Sequence, residues 1–160
     1  MRIDYYAIGG TVVKIQVVLF GIVFLFHGML ISADLESESQ MPKISWQELS
    51  DNLDQISSSG PWYLINVLPH NIYVDCALPR SINIPTHRLG KKLASEKKWP
   101  RSRKIIIYCA GMDCPLSKYA YQTLRGLGFK DVLVLDGGIR QWKQNMLTTQ
   151  GVCRSGYLHG

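Results

Sequence analysis

No part of the chain constrains its folding more than residues 104–117, in which the apolar run Lys104-Ile105-Ile106-Ile107-Tyr108 stops at Cys109, a short loop follows, and Pro115 opens an amphipathic segment. Isoleucine at successive positions does not alternate between faces, so the run is expected as a strand buried on both sides of a sheet. Proline is favoured in the first turn of a helix. From there, Leu116, Tyr119, Ala120, Thr123, Leu124 and Leu127 recur on roughly one helical face, and Gly128 supplies a C-terminal cap. A thiol between a strand end and a helix start sits where backbone N–H groups and the positive end of the helix dipole converge. Such a setting is expected to lower the Cys109 pKa and make it a nucleophile.

The rest of the chain reads as scaffold for that cysteine. Ile44 closes a first short strand, and Ser45 and Glu48 fit a capping box opening a helix to about Ile56. Residues 62–67 form a buried strand, and a loop with Leu68, Pro69 and His70 follows. Residues 82–84 are a short apolar segment stopped by Pro85. A helix is expected from Arg88 to about Glu96. Beyond the central strand and helix come a strand at 132–135, a turn at Asp136-Gly137-Gly138, and a short helix to about Met146. Strands alternating with helices imply an α/β domain on a mainly parallel central sheet flanked by helices.

Residues 11–33 are almost entirely apolar, interrupted by Lys14, Gln16, His27 and Ser32, and are long enough to span a bilayer. The fold is thus expected to be preceded by one N-terminal hydrophobic helix, with residues 1–33 a signal anchor or signal peptide. Arg2 and Lys14 precede the run, and Asp34, Glu36 and Glu38 follow it. This charge order leaves the N-terminus in the cytoplasm and the domain, membrane-anchored, on the exported side; secretion after cleavage is the alternative. Residues 34–40 read as a linker, 41–147 as the domain and 148–160 as an irregular tail. The net charge of +6 comes mostly from basic residues between positions 91 and 104, expected as a solvated face, with no motif pointing to nucleic acid. Four cysteines (Cys76, Cys109, Cys114, Cys153) are too few and irregular for a disulfide scaffold. No histidine stands at zinc-ligand spacing from them, so no metal is expected. Export would nonetheless permit disulfide chemistry.

Residues 42–146 resemble the rhodanese-like domain family. Three segments carry the resemblance: Leu64-Ile65-Asn66-Val67 with the later 78–85, Leu-Pro-Arg-Ser-Ile-Asn-Ile-Pro; Ile107-Tyr108-Cys109-Ala110-Gly111; and 126–142, which runs from Gly126-Leu127-Gly128-Phe129 to Gly137-Gly138 and Trp142. The loop is most similar to a subgroup with YCAGxDCPxS loops, often attached to membrane segments. The resemblance implies a sulfurtransferase in which Cys109 takes a sulfane sulfur from a thiosulfate- or polysulfide-type donor and passes it, as a persulfide, to a thiol or cyanide acceptor. A partner protein is compatible with this role, and no metal or organic cofactor is implied. A non-catalytic interaction or sensor module and a Cys109–Cys114 redox protein are the alternative readings. The chain departs from the family at Asn66-Val67-Leu68, where an Asp-x-Arg is usual, and at Ala77, where His is usual. A phosphatase-type Cys-x5-Arg loop would need Arg where Pro115 stands, so phosphate-ester chemistry is not expected.

Within the loop, Cys114 is the candidate resolving or relay thiol. Ala110, Gly111, Met112, Asp113, Ser117 and Lys118 complete the candidate site. Gly111 is expected to turn the loop with its N–H groups inward, and Asp113 to cap the helix or occupy a turn. Ser117 is a candidate donor to bound sulfur, and Lys118 a candidate positive charge. By the resemblance, Cys76 borders the site as a buried free thiol, or alternatively as a disulfide or sulfur-transfer partner of Cys109. Cys153 is expected as a tail thiol or disulfide partner. Gly137, Gly138 and Trp142 read as structural, and His70 and His87 as surface residues.

Overall fold

The structure, a computed structural model, describes residues 41–95, 99–154 and 156. The chain divides into two units, Met1–Gln40 and Met41–Gly160. The expected N-terminal hydrophobic helix and the linker fall in the first unit, outside the described residues. Among the described residues no helix is long and apolar enough to cross a membrane.

The second unit is built around the central isoleucine strand. In chain order its elements are β1 (Lys43–Ile44), α1 (Trp46–Asp51), a 3-10 turn (Leu53–Gln55), β2 (Trp62–Asn66), α2 (His70–Asp75), β3 (Ile82–Asn83), α3 (Thr86–Ser95), β4 (Lys104–Tyr108), α4 (Pro115–Gly126), β5 (Val132–Leu135) and α5 (Gly138–Gln144). The five strands form one parallel sheet in the order β1-β5-β4-β2-β3. Because β4 is central, both of its faces are covered. Ile105 and Ile107 pack with Leu89 and Leu93 of α3 and with Ala120 and Leu124 of α4. Ile106 and Tyr108 pack with Leu49 of α1 and with Ile139 and Trp142 of α5. Each such side chain taken out of water contributes about 1.5–3 kcal/mol, which holds the strand, and the cysteine after it, in one register.

Several local expectations are met by identifiable contacts. Ser45 Oγ accepts from the Glu48 N–H at 3.1 Å, the serine half of the capping box. The C-terminus of α4 closes as a Schellman motif: Phe129 N–H donates to Leu124 O (3.1 Å) and Gly128 N–H to Arg125 O (3.0 Å), with Gly128 at φ +85°. The basic stretch is partly spent on aromatic faces, with Arg101 over Phe129 and Arg103 over Tyr63 at 4.2 and 4.3 Å.

Two regions differ from the sequence reading. Residues 70–75 form a short helix where only a loop was legible; Pro69 precedes it and none of its residues is buried, so it leaves no apolar periodicity. The tail after Leu147 is irregular but anchored. Gln150 and Ala77 exchange two backbone hydrogen bonds (2.7 and 2.9 Å), and Cys153 N–H donates to Asp75 O (2.8 Å).

Candidate active site

The chain leaves β2 toward β3 on one side of the sheet and leaves β4 toward β5 on the other. Loops departing in opposite directions open a crevice at the carboxyl ends of the two strands, where open α/β sheets place their ligands. Asn66 ends β2 there, and Cys109 is the first residue beyond β4.

The start of α5 holds the cysteine loop in place. Ile139 N–H donates to Cys109 O (3.0 Å) and Arg140 N–H to Ala110 O (2.9 Å), so donors left free at a helix start are used by the loop backbone. Close approach requires glycine at 138, which lies at φ +57°. The loop then folds back through a turn closed by Cys114 N–H to Gly111 O (3.2 Å), and Cys114 becomes the N-cap of α4.

This arrangement corrects the expectation that Cys109 carries the lowered pKa. Cys109 is only 2% exposed. Its thiol lies 3.5 Å from Gly111 O and 3.7 Å from Cys114 O, carbonyls that take a proton rather than favour a charge. Beside Cys114, and buried, its pKa is pushed well up; the Ser117 hydroxyl and a Gly111 backbone contact oppose the rise only in part. The start of α4 lies beside Cys114 instead, although the Cys114 side chain closes no capping hydrogen bond. Its thiol is lowered to about 6, first by the Cys109 thiol beside it, then by the backbone at Leu116, Ala110 and Ser117. The loop therefore holds an adjoining pair with one thiolate between them, on the half-exposed Cys114 while both thiols are free.

The other candidate residues separate into three groups. Ser117, in the first turn of α4, is 6% exposed, and its Oγ closes no hydrogen bond although it lies near enough to Cys109 to favour that thiolate. Ala110 and Gly111 are held against α5. Met112 and Asp113 are exposed at the loop tip, where Asp113 occupies the turn while Cys114 takes the N-cap position. Lys118 is exposed on the first turn of α4. A residue missed in the sequence sets a further positive charge against the loop. The Arg140 guanidinium packs on Gly111, where a Cβ would meet its Nη1 at 3.1 Å. It lines a cavity of about 340 Å³ with Gly111, Met112, Asp113, Asp136 and Gln144. The signal was its place two residues after Gly138, the point of contact with the loop.

Cys76 does not join the site. It forms a disulfide with Cys153, 77 residues away in sequence, with Cα atoms 4.5 Å apart. The expected free thiol is thus corrected: the tail returns to α2 and brings Cys153 against it. Cys109 and Cys114 remain free. Asn66, which departs from the family's acidic position, is fully buried and works as a staple. Its Oδ1 accepts from Leu68 N–H (2.9 Å) and Asn83 Nδ2 (3.2 Å), which shapes the loop after β2. Among the described residues no group of three His, Cys, Asp or Glu side chains could hold a metal ion.

Residues 45–145 match the Rhodanese-like domain family. Among curated proteins the chain is 33% identical over 85 residues to the HTH-type transcriptional regulator Rv0324 of Mycobacterium tuberculosis, covering 53% of this chain and 36% of that protein. It is 29% identical over 96 residues to the adenylyltransferase and sulfurtransferase uba4 of Ogataea parapolymorpha, covering 59% and 23% respectively. The chain thus spans about a third or less of the length of these relatives. Among solved structures the fold is similar to BH2092 of Bacillus halodurans (TM-score 0.61, 23% identity, 71% of this chain and 79% of that one). It is also similar to the Rhodanese-like domain of the Anabaena protein Alr3790 (0.60, 25%, 72% and 83%) and to a thiosulfate sulfurtransferase of Pseudomonas aeruginosa (0.59, 20%, 72% and 21%). With more than half of its length matched and the sheet, loop and cysteine in the expected places, the chain belongs to the rhodanese-like domain family.

Proposed function

We propose that the domain is a sulfurtransferase that carries sulfane sulfur as a persulfide on Cys109. The family has sulfurtransferase members. The observation that carries the reading is the free Cys109 at the end of the central strand, with the buried, unpartnered Ser117 hydroxyl beside it. A buried hydroxyl without an acceptor costs free energy, and a persulfide on Cys109 supplies one. The Cys109 sulfur attacks the outer sulfur of thiosulfate as its proton is lost; that S–S bond breaks, sulfite leaves, and the sulfur stays on Cys109 as an anionic persulfide. Cys114 accepts the Cys109 proton as the attack proceeds. A thiol, on a small molecule or a partner protein, or cyanide then accepts the sulfur.

The same proposal takes the domain to be exported and membrane-attached, as in the subgroup its loop resembles. The charge order around residues 11–33 supports this, and so does the Cys76–Cys153 disulfide, which suits an oxidising compartment.

The competing reading is a non-catalytic interaction module, favoured by the burial of Cys109 and its raised pKa. Intact mass after brief exposure to thiosulfate or polysulfide separates the two. Gain of one sulfur atom or release of hydrosulfide, in either case absent from Cys109→Ser, supports transfer. A folded chain that does neither with any donor is an interaction module.

A further inference from the structure

We propose that Cys114 resolves the persulfide on Cys109, so that the domain releases sulfane sulfur as hydrosulfide and is left with a Cys109–Cys114 disulfide. The inference rests on the reading of Cys109 as the persulfide-bearing thiol and assigns the fate of that sulfur.

The geometry favours an internal acceptor. The turn from Gly111 to Cys114 brings the Cys114 backbone to 3.7 Å from the Cys109 sulfur, and the two thiols adjoin closely enough to perturb each other. The loop's other end is pinned by α5, so the pair is held together before any sulfur arrives. Cys109 is buried, whereas Cys114 is half-buried. An external thiol therefore meets Cys114 first. Cys76 and Cys153 are occupied by each other, which leaves Cys114 as the thiol at hand among the four cysteines.

Two attacks are open to Cys114. At the outer sulfur it would expel the Cys109 thiolate, a poor leaving group in a buried position where charge is disfavoured. At the inner sulfur it expels hydrosulfide, which is more acidic than a buried alkyl thiol and leaves faster. The second is the favoured route. The Cys109–sulfur bond to the terminal sulfur breaks and the Cys109–Cys114 bond forms. The Cys114 sulfur is oxidised, the terminal sulfur is reduced, and the Cys114 proton leaves on hydrosulfide. With thiosulfate, the reduced pair, one thiol and one thiolate, yields one disulfide, one sulfite ion and one hydrosulfide ion. An external dithiol reductant restores the pair for the next turnover.

The test uses the full chain, reduced at the Cys109–Cys114 pair and exposed to one equivalent of thiosulfate. Hydrosulfide is assayed, intact mass is taken, and peptides are mapped. The wild-type chain is expected to release one hydrosulfide without added thiol, to lose two hydrogens, and to give a Cys109–Cys114 cross-linked peptide. Cys114→Ser loads more slowly, because it lacks the thiol that takes the Cys109 proton; given excess thiosulfate and a longer exposure, it is expected to retain one sulfur atom stably on Cys109 and to release no hydrosulfide until a thiol is added, with serine, a good N-cap, retaining α4. Cys114→Ala, checked by circular dichroism, guards against an effect of the serine hydroxyl. A wild-type chain that keeps the sulfur until an external thiol arrives overturns the inference and leaves the sulfurtransferase reading standing. If neither wild type nor Cys114 variants gain sulfur or release hydrosulfide, the sulfurtransferase reading itself fails. A new disulfide mapped to Cys76 or Cys153 also overturns the inference.

Discussion

Gly138 packs directly on the Cys109 backbone: a Cβ at Gly138 would lie 2.5 Å from Cys109 O and 3.0 Å from the Ala110 carbonyl carbon. The neighbours are main chain and cannot swing aside as a side-chain tip would. Gly138→Ala is therefore expected to cost roughly 1–3 kcal/mol for the positive φ alone, and to push the cysteine loop away from α5. Urea denaturation should show the loss of stability, and sulfur loading in the folded fraction should fall. Unchanged loading would show that α5 does not position Cys109.

The Cys114 thiol, lowered to about 6, sets a pH dependence. Its thiolate is present at neutral pH and is lost as pH falls through about 6. Alkylation by iodoacetamide, followed by peptide mapping, should modify Cys114 before Cys109, with half-maximal rate near pH 6. Cys109→Ala removes the largest cause of the lowering, so the midpoint should move up. Preferential alkylation of Cys109 at pH 7 would reverse the assignment.

The Cys76–Cys153 bridge closes a long loop and ties the tail to α2. Cys153→Ser is expected to cost about 2–4 kcal/mol of unfolding free energy. The wild-type chain should fall to nearly the same stability when that bridge is reduced, while the variant's urea midpoint should not respond to reductant. Sulfur loading should persist in the variant, since the bridge lies apart from the Cys109–Cys114 pair.

Tyr108 carries a structural hydroxyl. Its oxygen accepts from Leu78 N–H at 3.0 Å and pairs with Ser81 Oγ at 2.8 Å, and burial pushes its pKa up to about 12. Tyr108→Phe strands the buried Leu78 N–H and should cost about 1–3 kcal/mol. Thermal unfolding checks this, with sulfur loading at low temperature expected to be unaffected. Loading lost in a fully folded variant would give the hydroxyl a part in the chemistry.

The strands and the cysteine loop were legible because their signals are local. Three isoleucines in a row, a proline after a short loop and a glycine past an apolar helix face each dictate backbone shape through sterics or burial at the same place in sequence. Helix α2 left no such signal, since none of its residues is buried and its ends are set by the loop after β2 and by Cys76. The sequence offered Cys153 as a disulfide partner but not its mate: pairing depends on which Cα atoms meet, and Cys76 and Cys153 meet because the tail pairs with Ala77.

The sequence by itself determined the parallel α/β order, the family, and the position of two thiols around one loop. Tertiary structure decided how differently the two thiols are set, Cys109 buried and Cys114 half-buried at a helix start. Protonation depends on burial, on the neighbour's thiol and on where helix N–H groups point. The chain brings those together only when α5 pins Cys109 inward and the turn at Gly111 leaves Cys114 at the start of α4.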